Sequence, residues 1–195
     1  MGQRSQIYVR YQKDGVNYLT ARYYQWNYGE RMISRCRYSL EWIEAMIPYD
    51  WYFTRETEKL QRILDVNFDM RDIVIGCDII KEYEEDEYWK DENYTLNDYI
   101  FKCQDNNDGK LFIDIKDGAI KYAFLDYDCN TDKIMSAAQY MNWDCPSWRK
   151  SEYIDDEGKA LCESNIKAIR KLAKLMTKEE VKEFINANYE PIPKF

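Results

Sequence analysis

Carboxylates are the side chains best able to do chemistry in this chain, because none of its 195 residues is a histidine. Imidazole is the group that normally titrates near neutral pH and completes Ser-His, Cys-His and His-metal sites. Catalysis would therefore depend on Cys, Lys, the 18 tyrosines or the 36 acidic residues. No arrangement of these residues matches a specific catalytic motif. We therefore expect a protein that is not an enzyme and that uses no cofactor.

The densest run of carboxylates, which we call the acidic segment, spans residues 82–92. It holds seven acidic residues and one lysine, interleaved with three aromatic residues. Runs of like charge are commonly solvated loops, but aromatic anchors within a charged rim are typical of protein interfaces. We predict that the segment binds a partner. The predicted partner-binding residues are Tyr83, Glu84, Glu85, Asp86, Glu87, Tyr88, Trp89, Asp91 and Glu92.

Charge is distributed in opposed regions along the chain. Residues 1–40 hold seven basic and two acidic residues, whereas residues 72–132 hold six lysines and 17 acidic residues. Arginines that converged near a helix N-terminus would suit an anion or a phosphate group. The candidates for such a site are Arg10, Arg22, Arg31 and Arg35. The alternative, which the acidic middle of the chain favours, is that these arginines form ion pairs within the fold.

Four aspartates in adjoining predicted strands and turns support an alternative function, a Mg²⁺-dependent enzyme acting on a phosphate-containing substrate beside Arg22 or Arg31. They are Asp105, Asp108, Asp114 and Asp126. The turn that ends at Gly109 resembles a calcium loop only in part, because Gln104 and Ile115 would occupy the loop's two end positions. The six cysteines form no C-x-x-C pair, so we expect reduced thiols and no metal site.

Strands and helices alternate in the first half of the chain. Alternation of polar and apolar residues at 6–11, a second run rich in strand-forming residues at 18–26 and a turn at 13–15 between them predict a β-hairpin. Helical spacing predicts a helix over about 30–47, which ends before a proline. A short helix over 56–65 and a compact apolar strand over 72–77 follow.

Three strands, at 99–103, 111–115 and 120–127, are predicted to form a meander, because Asp- and Gly-rich turns separate them. Asp155 or Asp156 can cap a following helix, and the capping box Thr177–Glu180 starts another. The predicted fold class is therefore α+β: a mostly antiparallel sheet built from hairpins, packed with helices and followed by a C-terminal helical pair.

We expect a single domain over residues 1–195, with hairpins, helix and meander in 1–150 and helices in 151–195. The first C-terminal helix carries a basic face formed by Lys167, Arg170, Lys171 and Lys174. We interpret this face as solvated, because the chain has a net charge of -8 and would be repelled by nucleic acid. No run of about 18 apolar residues occurs, so we expect a cytoplasmic protein that does not enter a membrane.

The opening Met1-Gly2-Gln3-Arg4-Ser5, the hairpin after it and the aromatic block from Tyr23 to Gly29 resemble the start of small uncharacterised proteins of phages and mobile elements. Those proteins begin M-G-x-R-S and carry an aromatic-rich turn with glycine soon after. The resemblance implies a genomic neighbourhood in which small acidic proteins antagonise host defence, with anti-CRISPR proteins as the obvious class.

Taken with the acidic segment, this resemblance leads us to expect a DNA mimic that inhibits a host nucleic-acid-handling enzyme. An RNA-guided nuclease of the Cas9 type is an example, because it holds nucleic acid in a positively charged channel that a surface of carboxylates and aromatic side chains would fit. A third alternative, direct nucleic-acid binding by the Tyr-rich strands, is disfavoured by the net charge.

Overall fold

The structure, a computed structural model, describes residues 3–48, 53–67, 72–73, 76–88, 94–103 and 107–190. The strands are β1 (Arg4–Lys13), β2 (Val16–Gln25), β3 (Val66–Asn67), β4 (Asp72–Ile73), β5 (Cys77–Asp78), β6 (Lys110–Lys116), β7 (Ala119–Leu125), β8 (Lys174–Leu175) and β9 (Tyr189–Glu190). The helices are α1 (Gly29–Met46), α2 (Phe53–Asp65), α3 (Ile79–Glu85), α4 (Leu96–Asp98), α5 (Ala137–Asp144), α6 (Asp156–Leu172) and α7 (Lys178–Asn186), with a π-helix at Tyr99–Cys103 and a 3₁₀ helix at Trp148–Lys150.

A mixed seven-stranded sheet forms the centre of the molecule. Its strand order is β5-β2-β1-β6-β7-β8, and β9 also pairs with β2. Most pairs of the long strands are antiparallel, but β1 and β6 run parallel. The predicted α+β class with a mostly antiparallel sheet is confirmed.

The first hairpin forms where the sequence predicts it. The turn residues Asp14 and Gly15 have φ angles of 52° and 78°, the left-handed conformation that tight hairpin turns require and that Asp and Gly tolerate. Lys13 therefore lies opposite Val16, and the register continues along both strands. Helix α1 follows within one residue of its predicted start.

The sheet buries apolar side chains on both faces. On one face, Ile7 and Val9 pack with residues of α1, α2, α5 and α6. On the other face, Tyr8 and Phe112 pack with the π-helix and α7. β1 lies inside the sheet between β2 and β6, and helices cover both faces of the sheet. The side chains on both faces of β1 are therefore buried.

The predicted strand at 99–103 is wrong, because these residues form a π-helix that continues α4. A capping box starts this helical segment: Thr95 Oγ1 accepts a hydrogen bond from the Asp98 N–H at 3.1 Å, and Asp98 accepts one from the Thr95 N–H at 3.3 Å. Ile100 and Phe101 are then buried against the sheet. The predicted meander reduces to the single hairpin of β6 and β7.

The predicted strand at 72–77 is also replaced by shorter elements. β4 pairs with β3 in a separate two-stranded sheet, and β5 pairs with β2 in the main sheet. Residues 74 and 75 between them lie outside the described residues.

The C-terminal helical pair is confirmed, with both predicted caps. Asp155 accepts a hydrogen bond from the Gly158 N–H at 2.8 Å, and Thr177 accepts one from the Glu180 N–H at 3.2 Å. Strand β8 between the two helices lies at one end of the sheet order. In the part of the chain that the structure describes, no helix combines the length and apolar character needed to cross a bilayer.

Candidate protein-binding site

The acidic segment begins within α3, whose position the sheet fixes. Helix α3 follows directly on β5, which pairs with β2. Asp78 caps the helix, because its Oδ1 accepts hydrogen bonds from the N–H groups of Ile80 and Lys81 at 3.1 and 3.2 Å. Its Oδ2 accepts another from Gln61 Nε2 at 2.8 Å. The first turn of α3 is thus held by both main-chain and side-chain bonds.

Tyr83 attaches the acidic segment to the fold. Its ring centroid lies 5.3 Å from that of Tyr99, and its hydroxyl donates a hydrogen bond to the carbonyl oxygen of Tyr94 at 2.9 Å. The side chain is half-buried. Tyr83 therefore fixes one face of α3, and the glutamates on its other faces are exposed.

The other described residues of the segment are mostly exposed. Tyr88 is 63% exposed, and Asp86 accepts a hydrogen bond from the Tyr88 N–H at 2.9 Å. The exposed carboxylates are Glu82, Glu84, Glu85 and Glu87. Trp89, Asp91 and Glu92, which the sequence also predicts to bind a partner, lie outside the described residues.

Lys81 and Glu85 form an ion pair at this surface, with a distance of 3.6 Å. Both side chains are 68% exposed, so water screens the pair and it neutralises little of the local charge. The negative charge of this surface also affects the Cys77 thiol, whose pKa is raised by partial burial and by the charge of Glu82. The surface is therefore strongly negative.

A cleft of about 550 Å³ opens beside α3. Its apolar and aromatic lining comes from separate parts of the chain: Leu19, Ile80, Tyr83, Leu96 and Tyr189. Among the described residues, its carboxylates are Asp78, Glu84, Glu85 and Glu190, and its one cation is Lys81. The cleft thus combines an apolar wall with a negative rim.

The cleft lies along the edge of β2, between two short strands. β9 pairs with β2 at Asn17 and Tyr18, and β5 pairs with it at Arg22 and Tyr23. The intervening Leu19 and Thr20 line the cleft. Tyr189 is held by a hydrogen bond from its hydroxyl to the carbonyl oxygen of Phe184 at 2.6 Å, so both ends of the cleft are built from fixed elements.

Arg10, the first of the candidate anion-binding arginines, forms a buried ion pair. It is 1% exposed and donates to both carboxylate oxygens of Asp114 at 2.7 Å. Glu183 lies 3.4 Å from the same guanidinium, which stacks over the ring of Phe184 at 5.0 Å. These contacts place Arg10 on the face of the sheet that α7 covers.

The other candidate arginines lie on the α1 side of the sheet. Arg22 pairs with Asp65 at 2.7 Å. Arg35 donates to Asn27 Oδ1 at 2.7 Å and to the carbonyl oxygen of Leu64. Arg31 donates to the carbonyl oxygen of Trp26 at 3.3 Å. The structure therefore brings Arg22 and Arg35 to one side of the sheet and places Arg10 on the other.

The described aspartates of the alternative Mg²⁺ hypothesis each bind a different partner within the fold. Asp114 is paired with Arg10, and Asp126 accepts a hydrogen bond from the Asn130 N–H at 3.0 Å. Asp108 accepts one from the Arg4 N–H at 2.5 Å, and Asp105 lies outside the described residues. Across the residues that the structure describes, no group of three or more Cys, Asp or Glu side chains is arranged to hold a metal ion.

A pair of carboxyl groups, the buried Asp108 and the half-buried Asp144, joins several elements at the N-terminus of α1. Asp144, the last residue of α5, accepts a hydrogen bond from the N–H of Gly29 at 2.6 Å. Burial, and then the charge of Asp108, raise the pKa of Asp144 to about 7. Burial also raises the pKa of Asp108, and the neighbouring Cys145 thiol has a pKa of about 12 because of burial and the charge of Asp144.

No protein-family model, curated protein or solved structure matches this chain. Its function is therefore inferred from the site.

Sequence reasoning located the acidic segment but missed the cleft beside it. Leu96, Tyr189 and Glu190 reach the cleft from distant parts of the chain. Tyr189 and Glu190 reach the cleft because they pair with β2. A strand of two residues has no periodic pattern from which such a pairing could be predicted.

Proposed function

We propose that this protein is a binding protein, and that the acidic segment and the adjoining cleft bind a positively charged segment of a partner protein. The observation that carries the proposal is the composition of the cleft, in which four carboxylates and one lysine surround apolar and aromatic walls. Neither the carboxylates nor the apolar and aromatic walls identify a ligand by themselves. Together they match the chemistry of lysine and arginine side chains.

Lysine and arginine have long aliphatic stems and charged heads. Such stems pack along apolar surfaces while the charged group stays at a polar rim. In the cleft, Leu19 and Ile80 provide apolar contact area, and Glu84 and Glu190 lie among the rim residues that would meet the charge. The ring of Tyr83 adds a surface suited to a cation.

The part of the binding surface that the structure describes is held in place by contacts within the fold. The Asp78 cap fixes the start of α3, and Tyr83 fixes its inner face through Tyr94 and Tyr99. Binding to a pre-formed surface avoids the entropic cost of ordering a loop. A negative potential over the cleft would also speed the approach of a basic partner.

The partner class that we propose is a nucleic-acid-handling enzyme, because such enzymes expose clusters of lysine and arginine. A Cas9-type nuclease is the first to test, since it holds nucleic acid in a positive channel and the first 29 residues of this chain resemble phage and mobile-element proteins. Occupation of that channel by the acidic segment would inhibit the enzyme by excluding its nucleic acid.

The test is binding of the purified chain to an immobilised Cas9-type nuclease, measured by biolayer interferometry at several salt concentrations. The site variant carries Glu84→Gln, Glu85→Gln and Glu190→Gln. Exposed charge pairs contribute roughly 0.2–1 kcal/mol each, so the loss of three should weaken the affinity by roughly 3-fold to 150-fold. The matched control replaces three exposed glutamates away from the cleft, Glu44, Glu152 and Glu157, by Gln.

The control variant should bind like the native chain, and added nucleic acid should compete with both. Absence of binding to the nuclease would reject this partner. Equal affinity of the native chain and the site variant would reject the cleft as the site.

A further inference from the structure

The edge of the sheet opposite the acidic segment carries a surface of opposite sign. Strand β8 is the last strand in the order β5-β2-β1-β6-β7-β8, and it follows directly on α6. We call the exposed cations here the basic surface: Lys167, Arg170, Lys171 and Lys174. Next to them Leu175, an apolar residue of β8, is 41% exposed.

The basic surface is not neutralised by its own fold. Among the described residues, none of its four cations forms an ion pair. Lysines nearby do find carboxylates: Lys121 pairs with Glu180 and Lys178 pairs with Asp132. The positive charge of the basic surface is therefore available to another molecule.

The two charged surfaces lie too far apart to neutralise each other within one molecule. Four strands lie between β5 and β8 in the sheet order, and five strand spacings of about 4.8 Å each put these outer strands about 24 Å apart. The Debye length is only about 8 Å at physiological ionic strength. Each molecule is thus negative at the β5 edge and positive at the β8 edge.

We infer that the basic surface binds the cleft and residues 82–88 of the acidic segment in a second copy of this chain. The aliphatic stems of the lysines suit the apolar wall of the cleft, and each surface adds one exposed apolar residue, Leu175 on the basic side and Tyr88 on the acidic side. A second copy fits because it carries the complementary surface, a cleft in which carboxylates lie beside an apolar wall.

The contact is heterologous, because the two surfaces that meet are different. Each bound copy therefore keeps one unoccupied surface of each kind, and assembly continues into an open chain or closes into a ring. A basic partner and a second copy would occupy the same acidic segment. Self-association and partner binding consequently exclude each other.

The test is sedimentation velocity of the native chain and of two neutralised variants. The basic-surface variant carries Lys167→Gln, Lys171→Gln and Lys174→Gln, and the acidic-segment variant carries Glu84→Gln, Glu85→Gln and Glu87→Gln. A control variant with Lys150→Gln and Glu152→Gln changes two exposed charges elsewhere. Thermal unfolding followed by circular dichroism verifies that each variant is folded.

We expect the native and control chains to form species larger than a dimer that grow with concentration. These species should dissociate as salt is raised from about 0.01 M to about 1 M, because the Debye length falls from about 30 Å to about 3 Å. Each neutralised variant alone should stay monomeric. Their equimolar mixture retains one complementary pair of surfaces and should therefore stop at a heterodimer.

A native chain that stays monomeric at low salt would overturn the inference, as would a mixture of variants that forms no heterodimer. Capture of a short DNA duplex by the native chain but not by the basic-surface variant, without self-association, would assign the surface to nucleic acid instead. The basic-surface variant keeps its acidic segment, so its binding to a Cas9-type nuclease tests the proposed function separately from self-association.

Discussion

Replacing Asp144 with Asn should stabilise the protein at alkaline pH. The Asp144 carboxyl group has a pKa of about 7 in the fold, against an ordinary value of 3.8. Each pH unit between these values corresponds to about 1.36 kcal/mol, so keeping Asp144 ionised in the fold above pH 7 costs about 4 kcal/mol. The Asn side chain removes the charge but retains an oxygen that can accept the hydrogen bond from the Gly29 N–H.

The sign of the pH dependence follows from the raised pKa. Between pH 4 and 7 the folded protein binds the Asp144 proton more tightly than the unfolded chain does. The contribution of Asp144 to the free energy of unfolding therefore increases as the pH falls from 7 toward 4, and decreases as the pH rises. The Asn variant lacks this dependence.

Urea unfolding followed by tryptophan fluorescence at pH 8 and pH 5 measures both effects. At pH 8 the variant should be more stable than the native chain by about 2–4 kcal/mol, the lower value allowing for relaxation around the carboxyl pair. Below pH 7 the difference should shrink by about 1.4 kcal/mol per pH unit. Asp117→Asn, in an exposed turn, is the control and should show no such trend. A variant less stable than the native chain at pH 8, or a difference that does not shrink, would refute the assignment.

Two further predictions concern side chains that hold the sheet and α3 in place. Arg10→Met should lower the free energy of unfolding by about 3–5 kcal/mol, because it leaves the buried carboxylate of Asp114 without its partner. The double variant with Asp114→Leu should recover much of this loss in urea unfolding. A double variant no more stable than the single one would contradict the pairing. Tyr83→Phe removes the hydrogen bond to Tyr94 and should lower the free energy of unfolding by about 0.5–1.5 kcal/mol. Amide hydrogen exchange should be faster than in the native chain for α3 and unchanged for α6. The same exchange rates in α3 as in the native chain would show that Tyr83 does not anchor the segment.

Elements with local signals could be predicted from the sequence. The turn at Asp14 and Gly15 determines the first hairpin, and the capping box at Thr177 determines the start of α7. The run at 99–103 is ambiguous by itself, because a short apolar run suits a strand or a buried helix equally well. The capping box of Thr95 and Asp98, just before the run, is the local signal that favours the helix, and the sequence prediction overlooked it.

Long-range pairing was beyond sequence reasoning for the same physical reason. The parallel pairing of β1 with β6 joins residues about 100 positions apart, and nothing local to either strand selects the other. The acidic segment could be recognised because its signal is composition. The cleft could not, because Leu19 and Tyr189 meet only after β9 has docked on β2.

The charge that a partner meets differs from the charge pattern of the sequence. The N-terminal region has the largest excess of basic residues, yet Arg10, Arg22 and Arg35 are all buried. Arg10 and Arg22 are paired with carboxylates, so little of that excess reaches the surface. Exposed positive charge is found instead on α6, and exposed negative charge on α3. Because these helices flank opposite edges of one sheet, folding converts scattered charges into two separate surfaces. Under the two proposals, a basic partner and a second copy therefore compete for the same acidic segment.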